Sequence, residues 1–259
     1  MIKSPLSGWM GGKYQLSKQI VSMIPKHHCY CEPFAGAAWV FFRKEQSKVE
    51  VLNDINAEII TLYRVVQNHL EEFIRYFKWI LISRDEFNRW MKANPETLTD
   101  IQRSSRFFYL QKNSFAGRIG DKATFGYAPS SRPRMNLLRI EEDLSAAHLR
   151  LSQVYIENLN YLDLIKRYDR EKTFFYIDPP YWNCENYYGD GIFSKADFDA
   201  LAEILANIKG KFLLSLNDTP EVRKIFSAFI VEPVTLTYTC GTKPTKAKEV
   251  LIRNYELDK

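Results

Sequence analysis

Hydrophobic and polar positions along the chain follow two alternating patterns. Short apolar runs rich in β-branched and aromatic residues predict strands, and apolar positions at helical spacing between them predict helices. The strand-like runs are HCYC from residue 28, VEVLND (49–54), VYIENL (154–159), TFFYID (173–178), KFLLSL (211–216), FIVEPVTLTY (229–238) and KEVLIRNY (248–255). This alternation predicts an α/β fold with a mostly parallel sheet flanked by helices.

Four segments have the apolar spacing of helices. They are YQLSKQIVSMI (14–24), AAWVFFRK (37–44), NAEIITLYRVVQNHL (56–70) and SKADFDALAEILANI (194–208). In the last segment, Ser194 is a predicted N-cap with Asp197 three residues later, and Gly210 lies just past the predicted end.

The pattern changes between about residues 71 and 150. EEFIRYFKWILISRDEFNRWM and TDIQRSSRFFYLQKN have helical spacing, but the following SFAGRIGDKATFGYAPSSRPRMN is aperiodic and rich in Gly, Ser, Pro and Arg. A loop of that length inside a compact domain is usually functional or disordered. We therefore predict one domain from residues 1–70 and 151–259, with residues 71–150 as an inserted, mostly helical subdomain.

Composition is that of an ordinary globular chain, with 259 residues, of which 46% are hydrophobic and 26% charged. No stretch approaches the ~20 continuous apolar residues of a membrane span, and the N-terminus lacks the apolar core of a signal peptide. The four cysteines have no CxxC spacing, so neither a zinc site nor a disulfide framework is indicated. We expect a cytoplasmic protein with no membrane segment and no bound metal.

The basic charge is concentrated in one segment. The whole chain has a net charge of +5, but residues 103–139 alone contain eight Lys and Arg residues against one acid, Asp121. A solvated basic loop would also have this composition. We prefer the interpretation that the segment faces a polyanion such as DNA.

A glycine turn and a later acid predict a nucleotide-binding site. Gly36 lies where the first strand turns into a helix, and Asp54 ends the next strand 18 residues later. An acid at about this distance binds ribose hydroxyls in dinucleotide folds, so the pair favours a cofactor that contains adenosine. Asp54 could instead cap the following helix, a role that Asn53 or Asn56 could also fill. The Gly-Gly-Lys of GWMGGKY suits an anion, but alone it is no more than an N-terminal turn.

The stretch TFFYIDPPYWN predicts the reacting end of a site. Each proline holds its predecessor extended, and neither proline has an N–H to donate. The segment therefore presents two acceptors, the Asp178 carboxylate and the Pro179 carbonyl, followed by the flat ring of Tyr181. Two acceptors and a stacking ring suit an exocyclic amino group on a planar base.

The ordered blocks WMGGK, EPFAGAAWVF, LNDINAEIITLY, FFYLQKN, YIDPPY and LLSLND resemble those of the Dam-type DNA N6-adenine methyltransferases. The resemblance extends from Trp9 to about Tyr255. It implies a Rossmann-like sheet of seven strands, S-adenosyl-L-methionine as methyl donor, double-stranded DNA as substrate, and a target-recognition insertion.

The resemblance also implies roles for individual residues. Asp54 would hold the cofactor ribose, Asn160 and Tyr161 would flank its adenine, and Asp178 would lie between cofactor and target. The full set of expected cofactor contacts is Trp9, Lys13, Phe34, Gly36, Asp54, Asn160, Tyr161, Asp178 and Tyr188. The catalytic set is Asp178, Pro179, Pro180 and Tyr181, where Asp178 and Pro179 accept from N6 of a flipped adenine and Tyr181 stacks on the base. The expected DNA contacts are Arg106, Lys112, Asn113, Ser114, Arg118, Arg132 and Arg134, with Phe115 or Tyr127 as a wedge.

Some features depart from the family pattern and leave alternatives open. Ala38 stands where the family often has a second glycine, and the basic loop differs from that of members that read GATC. The same two acceptors suit the N4 amine of cytosine, although proteins of that type more often carry Ser in the position of Asp178. RNA, a protein glutamine amide, or a DNA-binding module with a decayed cofactor site are further alternatives. A nicotinamide oxidoreductase would need a fuller glycine fingerprint than FAGAA.

Overall fold

The computed structural model describes residues 2–9, 11–118, 120, 123–185, 191–238 and 245–257. Within these residues the strands are β1 (Cys29–Glu32), β2 (Val49–Asn53), β3 (Tyr155–Glu157), β4 (Thr173–Ile177), β5 (Lys211–Asn217), β6 (Ile230–Tyr238) and β7 (Thr245–Arg253). The α-helices of the same residues are α1 (Ser17–Ser22), α2 (Trp39–Arg43), α3 (Ala57–Asn68), α4 (Leu70–Phe77), α5 (Arg84–Lys92), α6 (Asp100–Asn113), α7 (Ile140–Leu151), α8 (Tyr161–Tyr168), α9 (Lys195–Ala206) and α10 (Pro220–Ile225). All seven predicted strands are present.

The strands form one seven-stranded sheet in the order β3-β2-β1-β4-β5-β7-β6. Strands β2, β1, β4 and β5 pair in parallel, and β7 pairs antiparallel with both β5 and β6. All five residues of β4 are buried, as expected for a central parallel strand that is covered on both faces. The predicted α/β fold with a mostly parallel sheet is confirmed.

Contacts between residues divide the chain into two compact units. The first unit contains residues 1–14, 36–44 and 56–156, and the second contains residues 15–35, 45–55 and 157–259. The first unit therefore includes α2 and α3 together with α4 to α7, because α3 packs against α6 and α7. The sequence instead placed residues up to 70 with the sheet, and the target-recognition role of residues 71–150 stays a prediction.

The core of the first unit is aromatic. Phe73 lies 5.1 Å from Phe77 and 5.5 Å from Phe108 between ring centroids. The segment that was predicted as one helical stretch from residue 71 is two helices, α4 and α5. The second begins after Ser83, whose hydroxyl accepts from the Glu86 N–H at 3.1 Å and caps it.

Helix α9 confirms the predicted capping box. The Asp197 carboxylate accepts from the Ser194 N–H at 2.8 Å, and the helix ends at Ala206. Helices α7, α8 and α10 have no clear signal in the hydrophobic pattern and were not predicted. Helix α7 has no side-chain cap to mark its start, and α8 and α10 have only eight and six residues, too short for a clear periodic pattern.

Candidate active site

Three candidate residues follow the carboxyl ends of neighbouring parallel strands in the second unit. Phe34 follows β1, Asp54 follows β2 and Asp178 follows β4, and β1 pairs with both β2 and β4. In open α/β sheets, ligands bind outside this edge. The sheet therefore gathers three of the predicted site residues at the expected place.

Asn53, the last residue of β2, links the loops that carry these residues. Its side-chain amide donates to the carbonyls of Pro33 at 2.9 Å and Leu159 at 3.0 Å, and it accepts from the Leu159 N–H at 2.8 Å. Its own carbonyl accepts from the Ala35 N–H at 2.8 Å. Because Asn53 is fully buried, these bonds are strong constraints on the loops after β1 and β3.

Asp54 does not cap helix α3. The side chain of Asn56 accepts from the Glu58 N–H at 2.9 Å and is the N-cap, so the structural alternative for Asp54 is wrong. The Asp54 carbonyl accepts from the Asn158 side chain at 2.7 Å, which fixes the backbone of the loop after β2. Asp54 itself is partly exposed at the sheet edge.

Asn160 and Tyr161 begin helix α8. The Asn160 side chain accepts from the Leu162 N–H at 2.9 Å and caps the helix. Tyr161 is 5% exposed, packs 5.1 Å from Phe34 between ring centroids, and donates its hydroxyl to the Asp197 carboxylate at 2.9 Å. Burial and the Asp197 carboxylate raise the pKa of the Tyr161 phenol. Both residues therefore have structural roles beside the predicted contact with adenine.

Asp178 is bound to the neighbouring strand. Its Oδ1 accepts from the Ser215 hydroxyl at 3.0 Å, and the Ser215 oxygen lies 3.0 Å from the Tyr176 hydroxyl. Ser215 and Tyr176 are 0% and 3% exposed, whereas Asp178 itself is partly exposed. The Asp178 carboxylate therefore lies at the edge of the sheet and is hydrogen-bonded to buried polar side chains.

The turn that follows the two prolines is held by Asn217 at the end of β5. The Asn217 side chain accepts from the Trp182 N–H at 2.9 Å and donates to the Trp182 carbonyl at 3.1 Å. The Cys184 N–H closes the turn on the Tyr181 carbonyl at 2.8 Å. Tyr181, the predicted stacking residue, is partly buried, and Pro179 and Pro180 are buried. The predicted contact Tyr188 lies outside the described residues.

The glycine turn belongs to the first unit. Gly36 has φ +47°, and a Cβ built on it would lie 3.5 Å from the Trp9 indole nitrogen. Ala38 also has a positive φ, +50°, a conformation that favours glycine. This conformation explains why the family often has a glycine at the position of Ala38. Alanine adopts the conformation at a modest cost in strain.

Lys13 also lies in the first unit and is 4% exposed. Its ammonium donates to the Gly11 carbonyl at 3.3 Å. The GGK stretch is therefore a folded turn with an internal cation.

The exposed candidates for DNA contact lie in the loop between α6 and α7. Arg118, Arg132 and Arg134 are exposed, and the two proposed wedge residues, Phe115 and Tyr127, are 59% and 73% exposed. Arginines and aromatic rings are side-chain types that contact phosphates and bases in nucleic-acid-binding proteins, and the role of these five residues stays a prediction.

Two further basic candidates donate to groups within the first unit. Lys112 donates to the Ser7 carbonyl at 3.0 Å and to the Ser7 hydroxyl at 2.7 Å, and burial lowers the pKa of its ammonium to about 7. Arg106 donates to the Trp90 carbonyl at 2.8 Å and is partly buried. These contacts weaken the case for both residues as phosphate ligands.

Asn113 and Ser114, the predicted readers of base edges, are 4% and 1% exposed. The Asn113 amide donates to the Tyr109 carbonyl at 2.9 Å, and the Ser114 hydroxyl donates to the Gln111 carbonyl at 3.4 Å. Both side chains are therefore buried and hydrogen-bonded at the end of helix α6, and their role as readers of base edges stays a prediction.

The described residues contain neither a metal-binding cluster nor a membrane-spanning helix. No group of three or more His, Cys, Asp or Glu side chains in that part of the chain could hold a metal ion. No helix in the same ranges is long and apolar enough to cross a membrane. Cys29, Cys31 and Cys184 are free thiols.

The mostly parallel sheet with β7 inserted antiparallel between β5 and β6, and acids after β2 and β4, defines an α/β methyltransferase fold. The family model for D12 class N6 adenine-specific DNA methyltransferases matches residues 9–239. The chain therefore belongs to this family of site-specific DNA adenine methyltransferases.

Similar proteins align with most of this chain at low identity. The type II methyltransferase M.CviBI of Paramecium bursaria Chlorella virus NC1A is 27% identical, with 87% of each chain covered. The type II methyltransferase M1.LlaDCHI of Lactococcus lactis subsp. cremoris is 27% identical over 97% of this chain and 95% of its own. The DNA adenine methylase of Haemophilus influenzae is 27% identical over 95% of this chain and 91% of its own.

Sequence reasoning missed the residues that support the site. Asn53 and Asn217 each end a buried strand within the same tripeptide, Leu-Asn-Asp, and each side chain bridges to a loop of the site. An amide at the end of an apolar strand was the available signal. Ser215 and Tyr176 had the weaker signal of polar groups inside buried strands.

Proposed function

We propose that the protein transfers a methyl group from S-adenosylmethionine to N6 of an adenine flipped out of double-stranded DNA. The observation that carries the proposal is the placement of Asp178. It stands at the carboxyl end of central strand β4, is anchored to β5 through Ser215, and is followed by two prolines and Tyr181.

We propose that Phe34, Asp54, Asn160 and Tyr161 form the cofactor side of the second unit. The residues fit the group, because a carboxylate after β2 suits the two ribose hydroxyls and the Phe34 ring stands at the same edge. For Trp9, Lys13 and Gly36 the proposal rests on the resemblance of their sequence blocks and on the positive φ of Gly36, which suits a close backbone approach. When bound, S-adenosylmethionine supplies the electrophilic methyl group.

The chain's own residues would prepare the amino group. Its lone pair is delocalised into the ring, so the amine is a poor nucleophile. The Asp178 carboxylate and the Pro179 carbonyl would accept its two hydrogens and favour a pyramidal nitrogen, while Tyr181 stacks on the base. Flipping costs a few kcal/mol of lost stacking and pairing, which contacts in the pocket offset.

DNA would be held by the exposed arginines of the loop between α6 and α7. Arg118, Arg132 and Arg134 are placed for phosphate or guanine contacts, and Phe115 or Tyr127 could fill the gap left by the flipped base. A DNA substrate supports a cytoplasmic location. Two of the similar proteins are named type II methyltransferases, which supports a place in a restriction-modification system.

Cofactor binding can be tested separately from methyl transfer. Asp54→Ala should raise the Kd for S-adenosylmethionine at least about tenfold, since a carboxylate hydrogen bond contributes about 1.5–3 kcal/mol. Asn56→Ala is the matched control, because it removes the helix cap two residues away and should leave the Kd within about twofold. Calorimetric titration measures both values. An Asp54→Ala protein that binds the cofactor as the wild type does would contradict the assignment.

Methyl transfer tests the reacting residues. Asp178→Ala should abolish incorporation of labelled methyl into DNA and leave the thermal transition close to that of the wild type. Activity near the wild-type level in a folded Asp178→Ala protein would refute the proposed mechanism.

A further inference from the structure

The buried hydroxyl groups of Tyr176 and Ser215 form a series of hydrogen bonds that ends at Asp178. Tyr176 lies in β4, and Asp178 comes two positions later, directly after the last residue of that strand. The same hydroxyl group, that of Ser215, is within hydrogen-bond distance of both side chains. On the next strand, Ser215 comes directly after Leu214, which is paired with Ile177 in the parallel ladder of β4 and β5. The Ser215 hydroxyl oxygen lies 3.0 Å from both the Tyr176 oxygen and Asp178 Oδ1. Three polar groups thus form a line that ends at the candidate catalytic acid.

The direction of the hydrogen bonds follows from the hydrogens available. An ionised carboxylate only accepts, so the single hydrogen of Ser215 is donated to Asp178. The Ser215 oxygen then accepts from the Tyr176 hydroxyl, which supplies the other hydrogen. The order is Tyr176 to Ser215 to Asp178, and a donor that is itself polarised by a second donor binds a carboxylate more strongly.

The two hydroxyl groups of this hydrogen-bonded chain are buried, and the carboxylate at its end is not. Tyr176 and Ser215 are 3% and 0% exposed and lie in the central strands of the sheet, whereas Asp178 stands at its edge. Burial, and then the charge of Asp178, raises the pKa of the Tyr176 phenol well above its usual value. The phenol therefore remains a donor across the working pH range.

We propose that Ser215 and Tyr176 are positioning residues for methyl transfer, which hold Asp178 Oδ1 against the sheet and fix the rotation of the carboxylate. The inference rests on the proposed function of Asp178 as acceptor for the target amine. A carboxylate that can rotate about its last bond would spend less time aligned with the amino group, and misalignment costs rate rather than binding.

Single-turnover methylation of unmethylated plasmid DNA, with saturating S-adenosylmethionine, measures this effect. Ser215→Ala should lower the rate about 10- to 100-fold, the range expected for a lost charge-assisted hydrogen bond. The KM for DNA and the Kd for S-adenosylmethionine should stay within about twofold. Ser215→Cys, close in volume but a weaker donor, should give an intermediate rate.

Tyr176→Phe tests whether Tyr176 acts through Ser215. Alone it should lower the rate about 3- to 10-fold, as for a lost neutral hydrogen bond. Combined with Ser215→Ala it should add nothing, because the group through which it acts is already gone. Additive effects in the double variant would overturn the proposed order.

Tyr30→Phe is the matched control. Tyr30 is also fully buried, is paired with Phe174 on the same sheet face, and donates its hydroxyl to Glu32 at 2.5 Å. Its loss should lower stability but leave the methylation rate within about twofold, so an equal fall in rate for Tyr30→Phe would overturn the inference.

The positioning role of Ser215 and Tyr176 and the proposed function of Asp178 can be refuted separately. If Asp178→Ala is inactive but folded Ser215→Ala and Tyr176→Phe react at the wild-type rate, the positioning role is wrong and the proposed function stands. If Asp178→Ala is itself active, the proposed function is wrong. Should Ser215→Ala not fold, the rates of Tyr176→Phe and Ser215→Cys decide the matter by the same criteria.

Discussion

Gly117 offers a quantitative test of how the basic loop is anchored. It has φ +70°, and a Cβ built on it would lie 2.2 Å from the Gly8 carbonyl oxygen, well inside the 3.0 Å that real Cβ contacts respect. Gly8 is next to Trp9, and Gly117 lies two residues after the exposed Phe115. The close approach of the two glycines therefore joins a loop of the predicted cofactor site to the predicted DNA loop. Gly117→Ala must move backbone on one side or the other.

The cost of this substitution has three parts. Left-handed backbone costs an L-residue about 1–2 kcal/mol, overpacking adds about 1–3 kcal/mol, and the stiffer unfolded chain returns about 0.4–1 kcal/mol. We therefore expect Gly117→Ala to lower the free energy of unfolding by about 1–4.5 kcal/mol, with a central value of about 3 kcal/mol. Gly120→Ala is the matched control in the same loop, because Gly120 also has a positive φ but, among the residues that the structure describes, no atom within 4 Å of its Cβ position. It should cost about 1 kcal/mol or less.

Urea denaturation followed by tryptophan fluorescence gives both values, provided that the slope with denaturant is unchanged. The KM for DNA should rise for Gly117→Ala more than for Gly120→Ala, because only the former displaces the loop. Two variants equal in stability within about 0.5 kcal/mol would refute the close approach of Gly117 to Gly8.

Two further predictions concern the first unit. Ala38→Gly should be neutral or should stabilise by up to about 1 kcal/mol in urea denaturation, since it relieves φ +50° at the expense of a more flexible unfolded chain; a loss above about 1 kcal/mol would show that alanine is not strained there. Burial lowers the pKa of Lys112 to about 7 from 10.5, so between these values the unfolded chain binds more protons and stability should rise with pH. Lys112→Met should lose that rise in urea denaturation at a series of pH values, and parallel pH profiles for the two proteins would contradict the shift.

The strands were predictable because their signal is local. TFFYI and KFLLSLN are buried along almost their whole length, and such apolar runs need no knowledge of partners. Helix α7 was not, because IEEDLSAAHLRL follows an aperiodic loop and begins without a side-chain cap. The local pattern there gave no starting point.

The site was predictable where a residue's chemistry is set by its neighbours in sequence. Asp178 is such a residue, because the two prolines after it have no backbone N–H groups to donate. The N-cap of helix α3 was not predictable, because Asn53, Asp54 and Asn56 can all cap a helix. Only the fold shows that Asn56 does so. The hydrogen bonds of Lys112 were not predictable either, because its partner Ser7 is 105 residues away in the sequence and only the fold brings the two together.

The central claim is that Asp178 presents an adenine amino group for methylation. The most direct measurement incubates the protein with labelled S-adenosylmethionine and unmethylated plasmid DNA, and then maps the modified bases by single-molecule sequencing, with Asp178→Ala in parallel. The account predicts N6-methyladenine at one short recurring sequence with the wild type and none with Asp178→Ala. N4-methylcytosine, or adenine methylation that persists in the folded Asp178→Ala protein, would contradict it.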